Sequence, residues 1–183
     1  DLAEHNAQVQ SGQEVISLEK RGSGAQRSVI TTDDPELNRA VYWSGRNLQL
    51  LKMRQNGAGI FRGLPYHNNF YARDTFLSLV GAYLVQGDYE SAKSALRTFA
   101  GHQNREQADS GYGRIPNEIR PGGVDYLSAD ATPLFTYTVY EYLRYSGDFV
   151  ILQEMFPVIE RGIEGTLRYH SDSNGLLVHD QSG

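Results

Sequence analysis

The sequence predicts an all-α fold, part of an α/α toroid in which about five helices alternate between an outer and an inner layer. Three observations predict it. Apolar residues recur at helical spacing in five segments of the 183-residue chain. Two of these segments are apolar nearly all round, the mark of an enclosed helix, and they alternate with amphipathic ones. The turns out of the apolar helices are tight Gly-Asp pairs, whereas the returns, residues 55–73 and 106–129, are long. Long connections inside a compact domain are usually functional. Both lie where an apolar helix begins, which places them on one face of the domain. An ordinary helical bundle explains the apolar helices but not this asymmetry of loop length.

Residues 1–34 are polar and weakly patterned and read as an extended segment or linker, with Val15 to Leu18 and Ser28 to Thr32 as short strands or linker. The domain proper is read from 35 to 183. Asp34 and Pro35 mark a helix start, as N-cap and first helical residue. That helix runs to about Arg54, with Leu37, Val41, Leu48 and Leu51 on one face. The second helix spans Asp74 to Gly87, and Phe76, Leu77, Leu79, Val80, Tyr83, Leu84 and Val85 leave it almost no polar side. The third, about 88–105, opens on Asp88 as cap, with Tyr89, Ala92, Leu96 and Phe99 against Glu90, Lys93 and Arg97.

The fourth helix, about Ala131 to Ser146, is again apolar nearly all round, through Leu134, Phe135, Tyr137, Val139, Tyr140, Tyr142 and Leu143. After Gly147-Asp148 comes a fifth, to about His170. Its predicted packing stripe is Leu152, Met155, Phe156, Ile159, Ile163 and Leu167, with a kink at Pro157. The stretch Tyr83 to Tyr89 is echoed by Tyr142 to Phe149 with one residue inserted, a degenerate repeat of a helical pair.

Composition narrows the function. The net charge of −5 carries no nucleic-acid footprint, and no apolar run approaches a membrane span. There is no Cys, hence no disulfide and no thiolate metal site, and this usage does not fix the compartment. The start shows neither an initiator Met nor a signal-like pattern. Tyr is frequent, 12 residues against one Trp. An apolar ring with a polar tip suits sugar contacts and core packing alike.

The chemistry-bearing residues cluster at the entrances of the two apolar helices. Asp74 reads as a helix cap or, with Arg73, as a ligand for polyol hydroxyls: a carboxylate accepts such bonds and a guanidinium donates in a fixed fork. Asp130 reads as a cap of the helix opened by Ala131, or as a catalytic acid. An acid role requires a raised pKa, supplied by burial beside Tyr126, Leu127 and Phe135 or by Asp125 or Glu118. In the loop from Gly111 to Gly123, Asn117 and Glu118 are candidate hydroxyl contacts. His67, His102, His170 and His179 do not make a metal-ligand spacing. Asp172-Ser173-Asn174-Gly175 reads as an Asn-Gly turn rather than a calcium loop, and no phosphate-binding or nucleophile-elbow motif is present.

The string Gly63-Leu64-Pro65 … Tyr71-Ala72-Arg73-Asp74-Thr75-Phe76 resembles the Gly-x-Pro … Trp-Gly-Arg-Asp-Thr motif of the glucosidase module of glycogen debranching enzymes. Tyr89 to Ala100, Arg114-Ile115-Pro116-Asn117 and Tyr126 … Asp130-Ala131-Thr132 resemble, in order, its next outer helix, its Ile-Pro-Asn loop and the acidic start of its next inner helix. The resemblance covers about residues 34–180. It implies an (α/α)6 barrel, here a partial toroid, and inverting hydrolysis of α-linked glucosides in an oligo- or polysaccharide. It implies Asp130 as general acid, Arg73 and Asp74 as ligands of the non-reducing glucose, and Tyr71 and Asn117 nearby. Glu118 and Tyr126 complete the candidate sugar contacts.

No cofactor or metal is implied, and only the resemblance favours the cytoplasm. Tyr71-Ala72 in place of Trp-Gly, and Tyr66-His67 in place of Trp-Phe, leave the exact saccharide open. The family's base is a Glu far downstream, so the chain is expected to be a fragment, catalytically incomplete alone, with self-association left open. The alternatives are another (α/α)6 sugar enzyme (short-saccharide α-glucosidase, trehalase, invertase or epimerase) or a non-catalytic helical-repeat interaction module.

Overall fold

The computed structural model describes residues 30–54 and 57–178. The Val15 to Leu18 segment and the first two residues of the Ser28 to Thr32 segment lie outside them, and Ile30 to Thr32 form no strand. The architecture is mixed α/β, which corrects the all-α, partial (α/α)6 toroid expectation. Among the described residues there are five α-helices: α1 (Pro35–Leu51), α2 (Ala72–Leu79), α3 (Tyr89–Gly101), α4 (Ala131–Ser146) and α5 (Val150–Tyr169). With them stands a five-stranded sheet of β1 (Lys52–Arg54), β2 (Ala58–Gly63), β3 (His67–Tyr71), β4 (Glu118–Arg120) and β5 (Gly123–Asp125). The strands follow sequence order across the sheet, and every neighbouring pair is antiparallel. α2 and α3 are inserted between β3 and β4.

The overturning residues are the two segments expected to be functional loops. Backbone N–H and C=O groups removed from water must be paired. Lys52–Arg54, Ala58–Gly63, His67–Tyr71, Glu118–Arg120 and Gly123–Asp125 meet that demand by pairing with one another, with Phe61 opposite Phe70, Phe70 opposite Ile119 and Tyr71 opposite Glu118. One face of the sheet is therefore apolar, and Phe61 and Phe70 meet there with ring centroids 5.3 Å apart. The first helix ends at Leu51, three residues early, because Lys52 to Arg54 join the sheet.

The helix signals acted locally as their chemistry dictates. Asp34 caps α1 by accepting from the amides of Glu36 at 2.8 Å and Leu37 at 3.2 Å. Asp88 caps α3 by accepting from Ser91 N at 3.3 Å. Gly147 ends α4 in the left-handed region at φ +66°, where a side chain would be strained. Past Leu79, α2 loosens into a π turn, Val80–Leu84. α2, α3 and α4 converge on Phe76, whose ring lies 4.8 Å from Phe99 and 5.7 Å from Phe135. α2 and α3 also pack on β2.

Two burial expectations changed. The near-uniformly apolar helices are not enclosed: Leu77, Val85, Tyr137 and Tyr140 are each more than half exposed. α5 packs by a different face from the predicted stripe. Met155 is buried as expected, but the buried row is Ile151, Met155, Val158, Gly162 and Gly165, while Phe156, Ile163 and Leu167 face solvent. The reason is backbone contact: the two glycines let α5 press directly on Tyr112 and Gly113, where a Cβ on Gly165 would come within 1.8 Å of the Tyr112 carbonyl oxygen. α5 runs unbroken across Pro157. Among the described residues no helix is long and apolar enough to cross a membrane.

Candidate functional site

β3 runs without a break into α2, so Tyr71 ends a strand while Arg73 and Asp74 occupy the first helical turn. The helix begins at Ala72 rather than at Asp74, and Asp74 makes no side-chain cap. The first free amide of α2, that of Ala72, is satisfied instead by the Asn117 carbonyl at 2.8 Å. The Asn117 amide in turn donates to the Asp125 carbonyl at 2.6 Å. Asn117 thus ties the start of α2 to the β4–β5 hairpin through its backbone.

The same relay sets the polar face of the sheet. Strand side chains alternate between faces. Asn69 and Tyr71 on β3 therefore share a side with Glu118 and Arg120 on β4. The Glu118 side chain, only 13% exposed, accepts from Asn69 Nδ2 at 2.7 Å and from Arg120 Nη1 at 3.0 Å. The Tyr71 hydroxyl also bonds Glu118; burial first, then this carboxylate, keep the phenol protonated and push its pKa up. Arg62 on β2 lies over the Tyr71 ring at 5.5 Å and reaches Asp74 Oδ1 at 3.7 Å.

Asp130 stands immediately before α4 and does not cap it. One carboxylate oxygen accepts from Arg73 Nε and the other from the Ser128 hydroxyl. Partial burial pushes the carboxyl up, but the bonds from Arg73 and Ser128, with the Arg73 charge, outweigh it and hold Asp130 below the ordinary carboxylate range. In the free protein this carboxylate is an anion. The same pairing pushes Arg73 up, first through the Asp130 bond and its charge, with Asp74 adding to it.

The result is a continuous polar surface running from Glu118 and Tyr71 through Arg62 and Asp74 to Arg73, Asp130 and Ser128. Five of the sequence-predicted residues contribute side chains to it: Tyr71, Arg73, Asp74, Glu118 and Asp130. Asn117 enters through its backbone. Tyr126 is placed otherwise, its hydroxyl donating to the His102 carbonyl at 2.7 Å at the end of α3. Burial and then the nearby Asp109 charge push its pKa up.

Sequence reading missed Arg62, Asn69 and Ser128. The signal for the first two was the pair of aromatic-containing runs flanking the Gly63-Leu64-Pro65-Tyr66 turn, a hairpin pattern. Ser128 sits two residues before Asp130, the spacing of a local side-chain bond.

The long loop that carries Ser128 is anchored away from the site. Gln103 Nε2 donates to the carbonyls of Gly113 at 2.8 Å and Val158 at 2.7 Å, and Arg161 Nε donates to Gln103 Oε1 at 2.8 Å. Arg114 donates to the Tyr126 carbonyl at 2.9 Å and to His170 Nε2 at 3.1 Å. The Ile115 amide donates to Thr132 Oγ1 at 3.0 Å, which seats the loop on the first turn of α4.

Two neutralising sets of charge, Arg62 and Arg73 against Asp74 and Asp130, with amide and phenol groups beside them, suit a neutral polyhydroxylated ligand. No curated protein matches the chain. The motifs at Gly63 to Phe76 and Arg114 to Thr132, now joined in one surface, fall within residues 29–181, the span matched by the family model for amylo-alpha-1,6-glucosidase, and the chain belongs to that family.

Proposed function

We propose that this chain supplies the sugar-recognition and acid portion of an inverting glucosidase active site for α-linked glucosides. The observation that carries the reading is the bond between Arg73 and Asp130, which joins two motifs 57 residues apart on one surface. Arg73 and Asp74 bind hydroxyls of the non-reducing glucose. Tyr71 offers its ring edge, and Glu118 and Asn117 lie along the sugar's path. Asp130 protonates the glycosidic oxygen. The base that activates water is a second carboxylate, about 6.5–9.5 Å from the acid across the sugar. We place it downstream of this chain, as the resemblance implies.

In an enzyme that pairs this chain with its base, Asp130→Asn is expected to slow hydrolysis of natural α-glucosides by about 10²–10⁴-fold. An α-glucosyl fluoride, whose leaving group needs little protonation, is expected to be spared. Asp74→Ala is expected to weaken turnover of both. Wild-type rates for the Asn variant on saccharides remove Asp130 from the acid role. Turnover by the chain alone places the base within it, with Glu118 the first candidate.

A further inference from the structure

An acid that must give up a proton is found here as a paired anion. The pairing geometry itself contains a way out. Arg73 is the more exposed partner, its side chain 65% exposed against 32% for Asp130. It approaches Asp130 through Nε, and no other bond from its guanidinium to a protein group is seen among the described residues. The guanidinium has five N–H donors in a planar fork, so the pairing with Asp130 leaves donors directed outward. On the other side of Asp130, Ser128 donates to the opposite carboxylate oxygen from within the same turn, independently of the oxygen that Arg73 engages.

We propose that Arg73 is a substrate-operated switch for Asp130: a bound neutral glucoside draws the guanidinium onto its hydroxyls, and the released carboxylate takes a proton from solvent. The proposal rests on the sugar-site reading above. The groups that act on Asp130 among the described residues are Arg73 from α2, Ser128 from the preceding turn and its own backbone. Asp74 acts on Arg73, and Arg62 on Asp74, one and two steps behind. The direction follows from the balance of these influences. Burial is the largest single influence on Asp130, and it favours the neutral acid. The Arg73 bond and charge, with the Ser128 and backbone bonds, together outweigh it. Removing Arg73 leaves burial opposed by the Ser128 hydroxyl and a backbone bond, and a sugar lying over the site deepens the burial. The Ser128 hydroxyl can then turn and accept from the carboxylic acid, so the protonated state is also hydrogen-bonded. Arg73 is in this sense a positioning residue: it acts through Asp130. The device keeps the acid discharged until a sugar with correctly placed hydroxyls is present, which ties protonation to recognition.

The test is a carbon-13 carboxyl NMR titration of the chain, with the Asp130 resonance assigned by its loss in Asp130→Asn, run free and with saturating methyl α-glucoside. The free protein is expected to titrate below the ordinary Asp value of about 3.9. The glucoside is expected to raise the proton affinity of Asp130 tenfold or more. Arg73→Gln is expected to raise the free midpoint and to erase most of the difference between free and bound. Arg73→Lys, which keeps the charge without the fork, is expected to fall between. If the glucoside perturbs Asp74 while leaving the Asp130 midpoint unmoved, sugar binds but the switch is wrong. If it perturbs neither, the sugar-site reading falls and the switch with it. An unchanged free midpoint in Arg73→Gln also overturns the proposal. The comparison of free and bound wild-type protein stands whether or not the Arg73 variants fold.

Discussion

Gly165 and Gly45 are both helical glycines, yet the structure assigns them opposite effects on substitution. A Cβ on Gly165 meets the backbone oxygen of Tyr112 at 1.8 Å, and a backbone cannot swing aside as a side chain can. Gly165→Ala is expected to lose about 1–3 kcal/mol by overpacking, more than the roughly 1 kcal/mol that alanine returns in helix propensity. Gly45, inside α1, has nothing within 4 Å of its would-be Cβ. Gly45→Ala is expected to gain about 0.5–1 kcal/mol. Chemical denaturation of the two variants beside the parent reads both signs. An unchanged or raised midpoint for Gly165→Ala would show that α5 can move away from Tyr112. The candidate site shows the same contrast between local and spatial information. Arg73, Asp74 and Asp130 were legible because they stand in short motifs at helix entrances. Arg62 and Asn69 were not, because only strand pairing brings them to Tyr71 and Glu118. Tyr126 lies near Asp130 in sequence, but its hydroxyl is spent on the His102 carbonyl.

Among the elements, the helices were readable and the strands were not, for a physical reason. A helix satisfies its backbone within itself, so spacing and caps such as Asp34 and Asp88 announce it. β1, β4 and β5 are three residues each and carry charge, and their partners are supplied by other parts of the chain. One side chain joins the two kinds of element. Thr98 on α3 accepts from the Ala58 amide on β2 at 2.8 Å and donates to Ser94 O at 3.0 Å. Thr98→Val keeps the shape but leaves that buried amide without its acceptor, and is expected to cost about 1–3 kcal/mol in a thermal melt. No loss would mean that Ala58 finds another acceptor. The joint between α4 and α5 is electrostatic. Asp148 accepts from Lys93 at 2.5 Å, from Tyr142 at 3.1 Å and from the Val150 amide at 3.1 Å. The Lys93 bond first, resisted by desolvation and aided by Tyr142, holds its carboxyl below the ordinary range. A carboxyl depressed on folding contributes stability that is present above its unfolded pKa and lost as pH falls through the folded one. The stability gap between the parent and Asp148→Asn is therefore expected to be full at neutral pH and to shrink below about pH 4. A gap that does not change with pH would assign the effect of the variant to packing.

For the molecule as a whole, the order of assembly matters more than any single contact. β3 and β4 are neighbours in the sheet but are separated in the chain by α2 and α3. The Ala72 amide bonds Asn117, and the Asn117 amide bonds Asp125. The start of α2, which carries Arg73 and Asp74, is therefore tied through its backbone to the β4–β5 hairpin. Backbone amides joined in this way open as one cooperative unit. In hydrogen exchange, Ala72 and Asn117 are expected to exchange at matched rates, although 45 positions separate them. A glucoside bound at ten times its Kd is expected to slow both by about elevenfold, because it binds only the closed form. Ala72 exchanging far faster than Asn117 would show that α2 frays independently of the hairpin. The relay through Asn117 thus makes the amide clock of a helix start a reporter of whether a hairpin far along the chain is in place, and of whether sugar is bound above it.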